Sequence, residues 1–221
     1  MSVIKAVFLD FYGTVVRDDR ALIRRAVDEI FHTGNAAQSS EVAEFLWGQF
    51  RFGCAASFGE RFMTQREIER LSLLRTAEHF KASLDVDSLC QSIFRYWRKP
   101  ELFTDGHEFF RRVKIPVWIV SNIDSDDIRC AAEYHGLSPA GIFTSEDARA
   151  YKPNPEMFRY ALCQTGLSSE EAVHVGDSLD SDVSGARAAG IRAIWLNRDQ
   201  KPVPEGIAAV NHLLELFDGI I

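Results

Sequence analysis

Five short apolar runs, rich in β-branched and aromatic residues, constrain the fold of this chain more than any other feature of its sequence. From Pro116 onward these runs alternate with segments whose apolar residues recur at helical spacing. Such alternation is typical of βαβ units, in which helices join parallel strands and cover the sheet. The sequence therefore predicts an α/β fold with a doubly wound parallel sheet. The predicted strands are Ala6 to Phe11, Pro116 to Ser121, Gly141 to Thr144, Ala172 to Gly176 and Arg192 to Leu196.

The pattern changes between the first predicted strand and Pro116. From about Asp18 to Arg98 there is no strand-like run, and apolar residues recur only at helical spacing. Ligands of open α/β sheets bind at the carboxyl ends of the strands. A helical insertion that leaves the sheet after its first strand is therefore expected to cover that site as a cap. We predict a core domain of residues 1–15 and 100–221 and a helical cap domain of residues 16–99.

Composition narrows the possible partners and the compartment. The 221 residues carry a formal net charge of −7, which argues against binding to nucleic acid or to an anionic membrane surface. No apolar stretch approaches the roughly 20 residues that span a bilayer. The four cysteines are widely spaced and form no metal-ligand cluster, and Met1-Ser2 leave no room for a signal peptide before the first strand. We expect a cytoplasmic protein, either a monomer or a homodimer.

Polar side chains follow the predicted strands at the edge of the sheet where ligands bind. Each of them alone is more simply interpreted as a helix cap, a turn residue or a solvated side chain. Together they suit the binding of a small anionic substrate, and the acidic ones are ligands that Mg²⁺ accepts alongside phosphate oxygens. The set consists of Asp10, Ser121, Asn122, Lys152, Asp177 and Asp182.

Four segments in this order resemble the motifs of the haloacid dehalogenase-like (HAD) hydrolase superfamily: DFYGT, VSN, YKPNPEMF and GDSLDSDVSGARAAG. The resemblance covers nearly the whole chain and implies a Rossmann-like core with a C1-type helical cap. It implies that Asp10 is the nucleophile of a covalent aspartyl intermediate, which water then hydrolyses. It further implies that Ser121 and Lys152 bind the transferred group and that Thr14 forms a hydrogen bond near the nucleophile. Asn122, which follows Ser121 in the second motif, is included among the expected catalytic residues.

The resemblance also implies a metal site. In phosphatase-like members of the superfamily, Mg²⁺ is held by the nucleophile, by the backbone carbonyl two residues later and by the Asp of the fourth motif. These positions correspond to Asp10, Tyr12 and Asp177 here. Asp182 is then expected to orient water bound to the metal.

Tyr12 departs from the phosphatase pattern, which has an Asp at this position as the acid and base of the reaction. A phenol with an ordinary pKa near 10 is a poor base at neutral pH. The 2-haloacid dehalogenases carry D-x-Y-G-T, as this chain does, and they use no metal. The fourth motif, with Asp177 and Asp182, has instead the metal-binding form, and two acids near Asp10 call for a cation.

We therefore favour a Mg²⁺-dependent hydrolase of a small phosphorylated metabolite. The first alternative is metal-free hydrolysis of a 2-haloacid. An alternative of another class is a catalytically weak member that binds a ligand in a regulatory role. Specificity is expected to lie in the predicted cap, where the aromatic-rich stretch from Phe45 to Phe58 contains a single cation, Arg51. Arg51 is the candidate anchor for a carboxylate or phosphate of the substrate.

Overall fold

A computed structural model of the chain describes residues 3–219 and 221. Met1 and Ser2, which entered the prediction of a cytoplasmic protein, lie outside these residues. The described strands are β1 (Ala6–Leu9), β2 (Val117–Ser121), β3 (Gly141–Thr144), β4 (Ala172–Gly176), β5 (Arg192–Leu196) and β6 (Ala208–Val210). They form one parallel sheet in the order β3-β2-β1-β4-β5-β6, with β1 between β2 and β4. The predicted doubly wound α/β fold is confirmed.

The strand predictions differ from the structure at three places. The first strand ends at Leu9 rather than Phe11, because after Asp10 the chain turns and Val15 donates a backbone hydrogen bond of 2.7 Å to the Phe11 carbonyl. The second begins at Val117 rather than Pro116. The sixth strand was not predicted, and its three residues are too few to show a periodic pattern.

Four α-helices fall within the predicted helical insertion between β1 and β2, and we call them the cap. They are α1 (Arg20–Thr33), α2 (Ser39–Ala56), α3 (Gln65–His79) and α4 (Val86–Arg98). Helix α3 begins with a capping box formed by Thr64 and Glu67. Helix α2 packs closely on α3 at Gly53, where a Cβ atom would lie 2.7 Å from a methyl carbon of Ile68. The residue limits of the two predicted domains stay a proposal.

Five further helices surround the sheet: α5 (Thr104–Arg112), α6 (Ser125–Tyr134), α7 (Ser145–Ala148), α8 (Pro155–Thr165) and α9 (Gly185–Ala188). Successive side chains of β1 point to opposite faces of the sheet, as in any strand. Val7 and Leu9 pack in a core that includes Phe109 of α5 and Ile128 of α6, and Phe8 packs on the other face with residues of α8 and α9. Among the described residues, no helix has both the length and the apolar character needed to cross a bilayer.

The chain enters and leaves the cap through two neighbouring segments. Val16 and Leu102 form an antiparallel bridge. On either side of it, the Arg17 amide donates to the Glu101 carbonyl at 2.7 Å and the Phe103 amide donates to the Val15 carbonyl at 3.0 Å. The two connections between the sheet and the cap therefore run side by side as a short backbone ladder.

Candidate active site

A cavity of about 1320 Å³ lies between the cap and the carboxyl ends of β1, β2 and β4. Asp10, Ser121, Lys152 and Asp177 line it from the side of the sheet, and Arg51 lines it from α2. Every predicted site residue except Thr14, which is fully buried, therefore borders the same cavity.

Three carboxylates form a cluster in this cavity. One ligand oxygen from each of Asp10, Asp177 and Asp182 lies within 4.8 Å of the other two. Asp10 directly follows β1, and its amide donates a hydrogen bond of 2.9 Å to the Val175 carbonyl of β4. Asp177 directly follows β4, and its carbonyl accepts a hydrogen bond of 2.8 Å from the Trp195 indole.

Asp182 joins the cluster because the chain after β4 forms a π-helical turn over Leu179–Ser184. In this turn the Val183 amide donates to the Ser178 carbonyl at 3.1 Å, five residues back. Oδ2 of Asp182 accepts a hydrogen bond of 3.0 Å from the Ser178 amide. The wide turn holds the Asp182 side chain over the carboxyl end of β4. Turns of this π-helical kind are frequent at functional sites.

Two glycines allow the carboxylates to approach the backbone closely. Gly13 has a φ of +87°, which favours glycine, and a Cβ atom at this position would lie 2.5 Å from Oδ2 of Asp177. A Cβ atom at Gly176 would overlap the Asp182 carboxylate. Glycine at these positions therefore makes room for the acidic cluster.

Lys152 is the buried cation that joins two of the three carboxylates. Its Nζ donates to Oδ1 of Asp10 at 2.7 Å, to Oδ1 of Asp182 at 2.6 Å and to the Val120 carbonyl at 2.9 Å. These acceptors use all three protons of the ammonium group. Burial disfavours the charged amine, but the two carboxylates outweigh this effect and raise the pKa of Lys152.

Asn122 positions Lys152 through the backbone. Its Nδ2 donates to the Lys152 carbonyl at 3.1 Å, and its Oδ1 accepts from the Lys152 amide at 2.7 Å. The carbonyl of Asn122 itself accepts a hydrogen bond of 2.8 Å from the Ser145 hydroxyl. Hydrogen bonds thus connect the motif that contains Asn122 with the motif that contains Lys152. Ser121, the residue before Asn122, borders the cavity.

One positive charge faces three acids, and the pKa values of the acids reflect this imbalance. Burial raises the pKa of Asp10, with opposition from Lys152. Burial, together with the charges of Asp10 and Asp182, raises the pKa of Asp177 well above its usual value. Burial opposes ionisation of Asp182 too, but Lys152 and His174 hold the pKa of that carboxyl below its usual range. Asp177 is therefore the acid whose negative charge is least compensated by neighbouring positive charge.

Oδ2 of Asp10 is a buried acceptor with no hydrogen-bond partner among the described residues, and so is the Thr14 hydroxyl. A buried carboxylate oxygen without a partner is costly unless a cation or a donor meets it. Hard oxygen ligands at close spacing are the donor set of Mg²⁺. The Asp10–Asp177–Asp182 cluster therefore fits a divalent cation chemically.

Tyr12 is directed toward the cap. Its hydroxyl donates a short hydrogen bond to the backbone carbonyl of Trp97 in α4. Burial first, and then the charges of Asp127 and Asp19, raise the pKa of Tyr12 well above its usual value. The phenol therefore connects the loop after β1 with the last helix of the cap and keeps its proton.

His174 lies in the site, although the sequence did not indicate it as a functional residue. It is fully buried in β4, and its Nε2 lies 2.9 Å from Oδ1 of Asp182. Its ring packs edge-on against Phe158, with ring centroids 4.9 Å apart. Inside a short apolar run, a histidine gives no signal that distinguishes packing from contact with a catalytic group.

The parallel sheet, the helical cap and the carboxylates at the strand ends define a class of α/β proteins whose acidic centre is covered by inserted helices. The chain belongs to the haloacid dehalogenase-like hydrolases, whose family matches residues 4–190. It is 33% identical over 121 residues to the phosphoserine phosphatase of Thermus thermophilus, an alignment that covers 52% of this chain and 48% of that enzyme. The chain thus spans about half the length of this relative.

One further relative and one solved structure match over more of the chain. YfnB of Bacillus subtilis, named as a HAD-hydrolase, is 28% identical over 190 residues, which cover 82% of this chain and 77% of YfnB. The L-2-haloacid dehalogenase of Xanthobacter autotrophicus has a similar fold, with a TM-score of 0.75 at 16% identity, over 99% of this chain and 100% of that one. The chain is a HAD-superfamily hydrolase, with phosphatases and dehalogenases among its relatives.

Proposed function

We propose that this protein is a Mg²⁺-dependent phosphatase that hydrolyses a small phosphorylated metabolite. The observation that carries the proposal is the cluster of Asp10, Asp177 and Asp182, which has Lys152 as its one buried cation in the described part of the chain. Three acids against one lysine leave a negative centre, which would repel a phosphate unless a further cation neutralises it. A metal-free reaction gives no comparable reason for this set of acids.

In the proposed reaction, the Asp10 carboxylate attacks phosphorus and the bond from phosphorus to the leaving oxygen breaks, which forms an aspartyl phosphate and an alkoxide that takes a proton from water. A second water then attacks the phosphoryl group, loses a proton to solvent and breaks the bond to Asp10, which releases inorganic phosphate and the free carboxylate. Lys152 and the Ser121 hydroxyl bind the transferring oxygens, whose charge grows in the transition state. Thr14 is proposed to donate to the nucleophile, and Asn122 keeps Lys152 in place.

Mg²⁺ would be held by Asp10, the Tyr12 carbonyl and Asp177, with Asp182 as an outer partner, and would offset the charge between nucleophile and phosphate. The same ion is named in a solved structure of YfnB, described as bound to magnesium, which has a TM-score of 0.74 to this chain. The 33% identity to a phosphoserine phosphatase supports phosphoryl chemistry in the same way.

The proposal includes the cap. Arg51 is an exposed cation on α2 that lines the cavity, and we propose that it anchors a second anionic group of the substrate. A guanidinium group presents a planar fork that matches a carboxylate or phosphate. We also propose that the cap is of the C1 type, because its helices are inserted directly after the first strand.

Tyr12 favours a second candidate function, metal-free hydrolysis of a 2-haloacid. Displacement of halide needs no proton, so a site that lacks an acid at position 12 is adequate for it. The fold similarity to L-2-haloacid dehalogenases is compatible with this chemistry. Metal-free hydrolysis of a 2-haloacid would, however, give Asp177, whose pKa is raised, no function.

A substrate panel separates the two functions. Phosphomonoesters and 2-haloacids are assayed with Mg²⁺ and with EDTA, by release of phosphate and of halide. We expect phosphate release that requires Mg²⁺ and that Asp10→Asn abolishes, with mass spectrometry to exclude deamidation back to Asp. Halide release in EDTA, without phosphate release, would establish the dehalogenase instead.

A further inference from the structure

Glu69 of α3 is a buried acid that the proposed reaction does not use. It is only 6% exposed, yet its side chain borders the cavity that contains Asp10. Two other polar residues on the buried face of α3 are satisfied within the helix. The Ser72 hydroxyl donates to the Ile68 carbonyl at 2.7 Å, and the Thr76 hydroxyl donates to the Ser72 carbonyl at 2.7 Å. No donor from residues 3–219 or 221 meets the Glu69 carboxylate.

The arginines beside Glu69 are paired elsewhere. Arg66 contacts Asp127 through two hydrogen bonds of 2.6 and 2.7 Å, and Arg70 contacts Asp87 at 3.0 Å. Across the cavity, Arg20 pairs with Asp18 at 2.8 Å. These cations are therefore not available to neutralise Glu69.

The groups that face Glu69 are a second acid and two neutral thiols. Asp19, before α1, is close enough to raise the pKa of Glu69, and the thiols Cys54 of α2 and Cys90 of α4 lie within its electrostatic range. Asp19 is held in place by the Trp97 indole, which donates to its Oδ2 at 2.7 Å. Burial, with Asp19 as the second cause, raises the pKa of Glu69 to about 8.

We propose that Glu69, with Asp19 beside it, binds a positively charged nitrogen of the substrate. The inference rests on the proposed phosphatase function and specifies its substrate class as an amino-substituted phosphomonoester. A buried carboxylate without a partner is costly, and a cation supplied by the ligand removes that cost. Apolar side chains also line the cavity, among them Ile23, Leu46 and Trp97, and a less polar surrounding strengthens the pairing.

Matched phosphonates test the proposal without turnover. Aminoalkylphosphonates with two to five carbons between phosphorus and nitrogen are compared with alkylphosphonates of equal length, by calorimetry with Mg²⁺. We expect the best amine to bind wild type at least about ten-fold more tightly than its matched alkylphosphonate, given the strength of charged hydrogen bonds. Glu69→Gln should remove this preference and change alkylphosphonate binding by less than about two-fold. Asp180→Asn, which neutralises an exposed acid at the same cavity, should keep the preference.

Protonation gives a readout that a structural role for Glu69 would not move. At pH 7 the free Glu69 is mostly protonated, so binding of an ammonium group should release a proton. Calorimetry in buffers of different ionisation enthalpy measures that release, which Glu69→Gln should lack. The preference of wild type for the amine should also rise between pH 6.5 and 8.5, a measurement that needs no variant.

The failures are distinguishable. Equal binding of the paired phosphonates by wild type, or an unchanged preference in Glu69→Gln, would overturn the inference about Glu69 and leave the phosphatase function standing. If no phosphonate binds and no phosphomonoester is hydrolysed, the proposed function fails, and the inference fails with it.

Discussion

The Nζ of Lys152 lies 2.7 Å from Oδ1 of Asp10, although the two residues are 142 positions apart in the chain. Both side chains are buried, and the same ammonium group also contacts Asp182. One lysine therefore orients the proposed nucleophile and compensates two carboxylates.

Lys152→Met should lower both stability and activity. Removing one partner of a buried ionic cluster leaves uncompensated charge, which costs about 3–5 kcal/mol of unfolding free energy. Turnover should fall at least about a hundred-fold because a donor to the transferring group is lost. Chemical denaturation and steady-state kinetics measure the two effects. Lys5→Met, which removes an exposed ion pair with Glu171, is the control and should cost less than about 1 kcal/mol. Equal stability losses in the two variants would show that Lys152 is not a structural centre of the site.

Asp177→Asn should stabilise the metal-free protein and abolish its response to Mg²⁺. The pKa of Asp177 is raised in the folded state, so its favourable contribution is present at low pH and is lost as the pH rises through that raised value. At neutral pH folding must therefore either protonate Asp177 or bury its charge, and both oppose folding. In EDTA the variant should melt at a higher temperature than wild type, by about 2–4 °C for each kcal/mol gained.

In the same melting experiment, Mg²⁺ should raise the transition of wild type and leave that of Asp177→Asn unchanged, because a ligand stabilises only the state that binds it. Asp180→Asn, at an exposed position nearby, should respond to Mg²⁺ like wild type. A wild-type transition that Mg²⁺ does not move would contradict the metal site.

Tyr12→Phe should reduce stability more than it reduces catalysis. The change removes the hydrogen bond from the phenol to the Trp97 carbonyl and leaves a partly buried acceptor unsatisfied, at a cost of about 1–3 kcal/mol. The value of kcat should stay within about three-fold of wild type, because the phenol does not give its proton to the substrate. Tyr134→Phe, at an exposed tyrosine, should leave both quantities unchanged. A loss of kcat of a hundred-fold with an unaltered unfolding free energy would assign the phenol a chemical role.

Tyr12→Asp should increase the hydrolysis of alkyl phosphomonoesters by about ten-fold, since general acid–base help is worth about 10²–10⁴-fold when well placed. Aryl phosphates should gain less in the first step, because phenolates leave without a proton. Steady-state kinetics with Mg²⁺ on both substrate types, and on 2-haloacids, measure this effect. No gain on any phosphate, accompanied by lost halide release, would support the dehalogenase.

The sheet could be predicted because its strands are buried on both faces and read as uninterrupted apolar runs, which is why five of them were found nearly residue for residue. Helix α2 lies within the predicted helical cap, but no apolar stripe marks it as a separate helix, and Gly48 and Gly53 inside it disfavour helix formation. Gly53 weakens the helical pattern of the local sequence, but it allows α2 to pack closely on α3, which is a tertiary effect.

The sequence predicted which residues form the candidate site better than it predicted the contacts that they make. Asp10 and Asp177 were found because each directly follows a strand, and Lys152 and Asp182 because they come a few residues beyond strands that end at the same edge of the sheet. The direction of Tyr12 toward Trp97 depends on the cap, and no local pattern encodes it. Glu69 was missed for a similar reason, because it lies in the charged stretch REIER, which reads as a solvated helix surface.

The backbone ladder between Val16 and Leu102 brings the two ends of the cap together. A segment whose ends are adjacent can be lengthened, shortened or exchanged for another while the strands on either side keep their register. The sheet and its carboxylates can then stay the same while the helices of the cap are replaced. New substrate preferences in such proteins can arise by recombination at these two crossing points, without any change in the residues that carry out the chemistry.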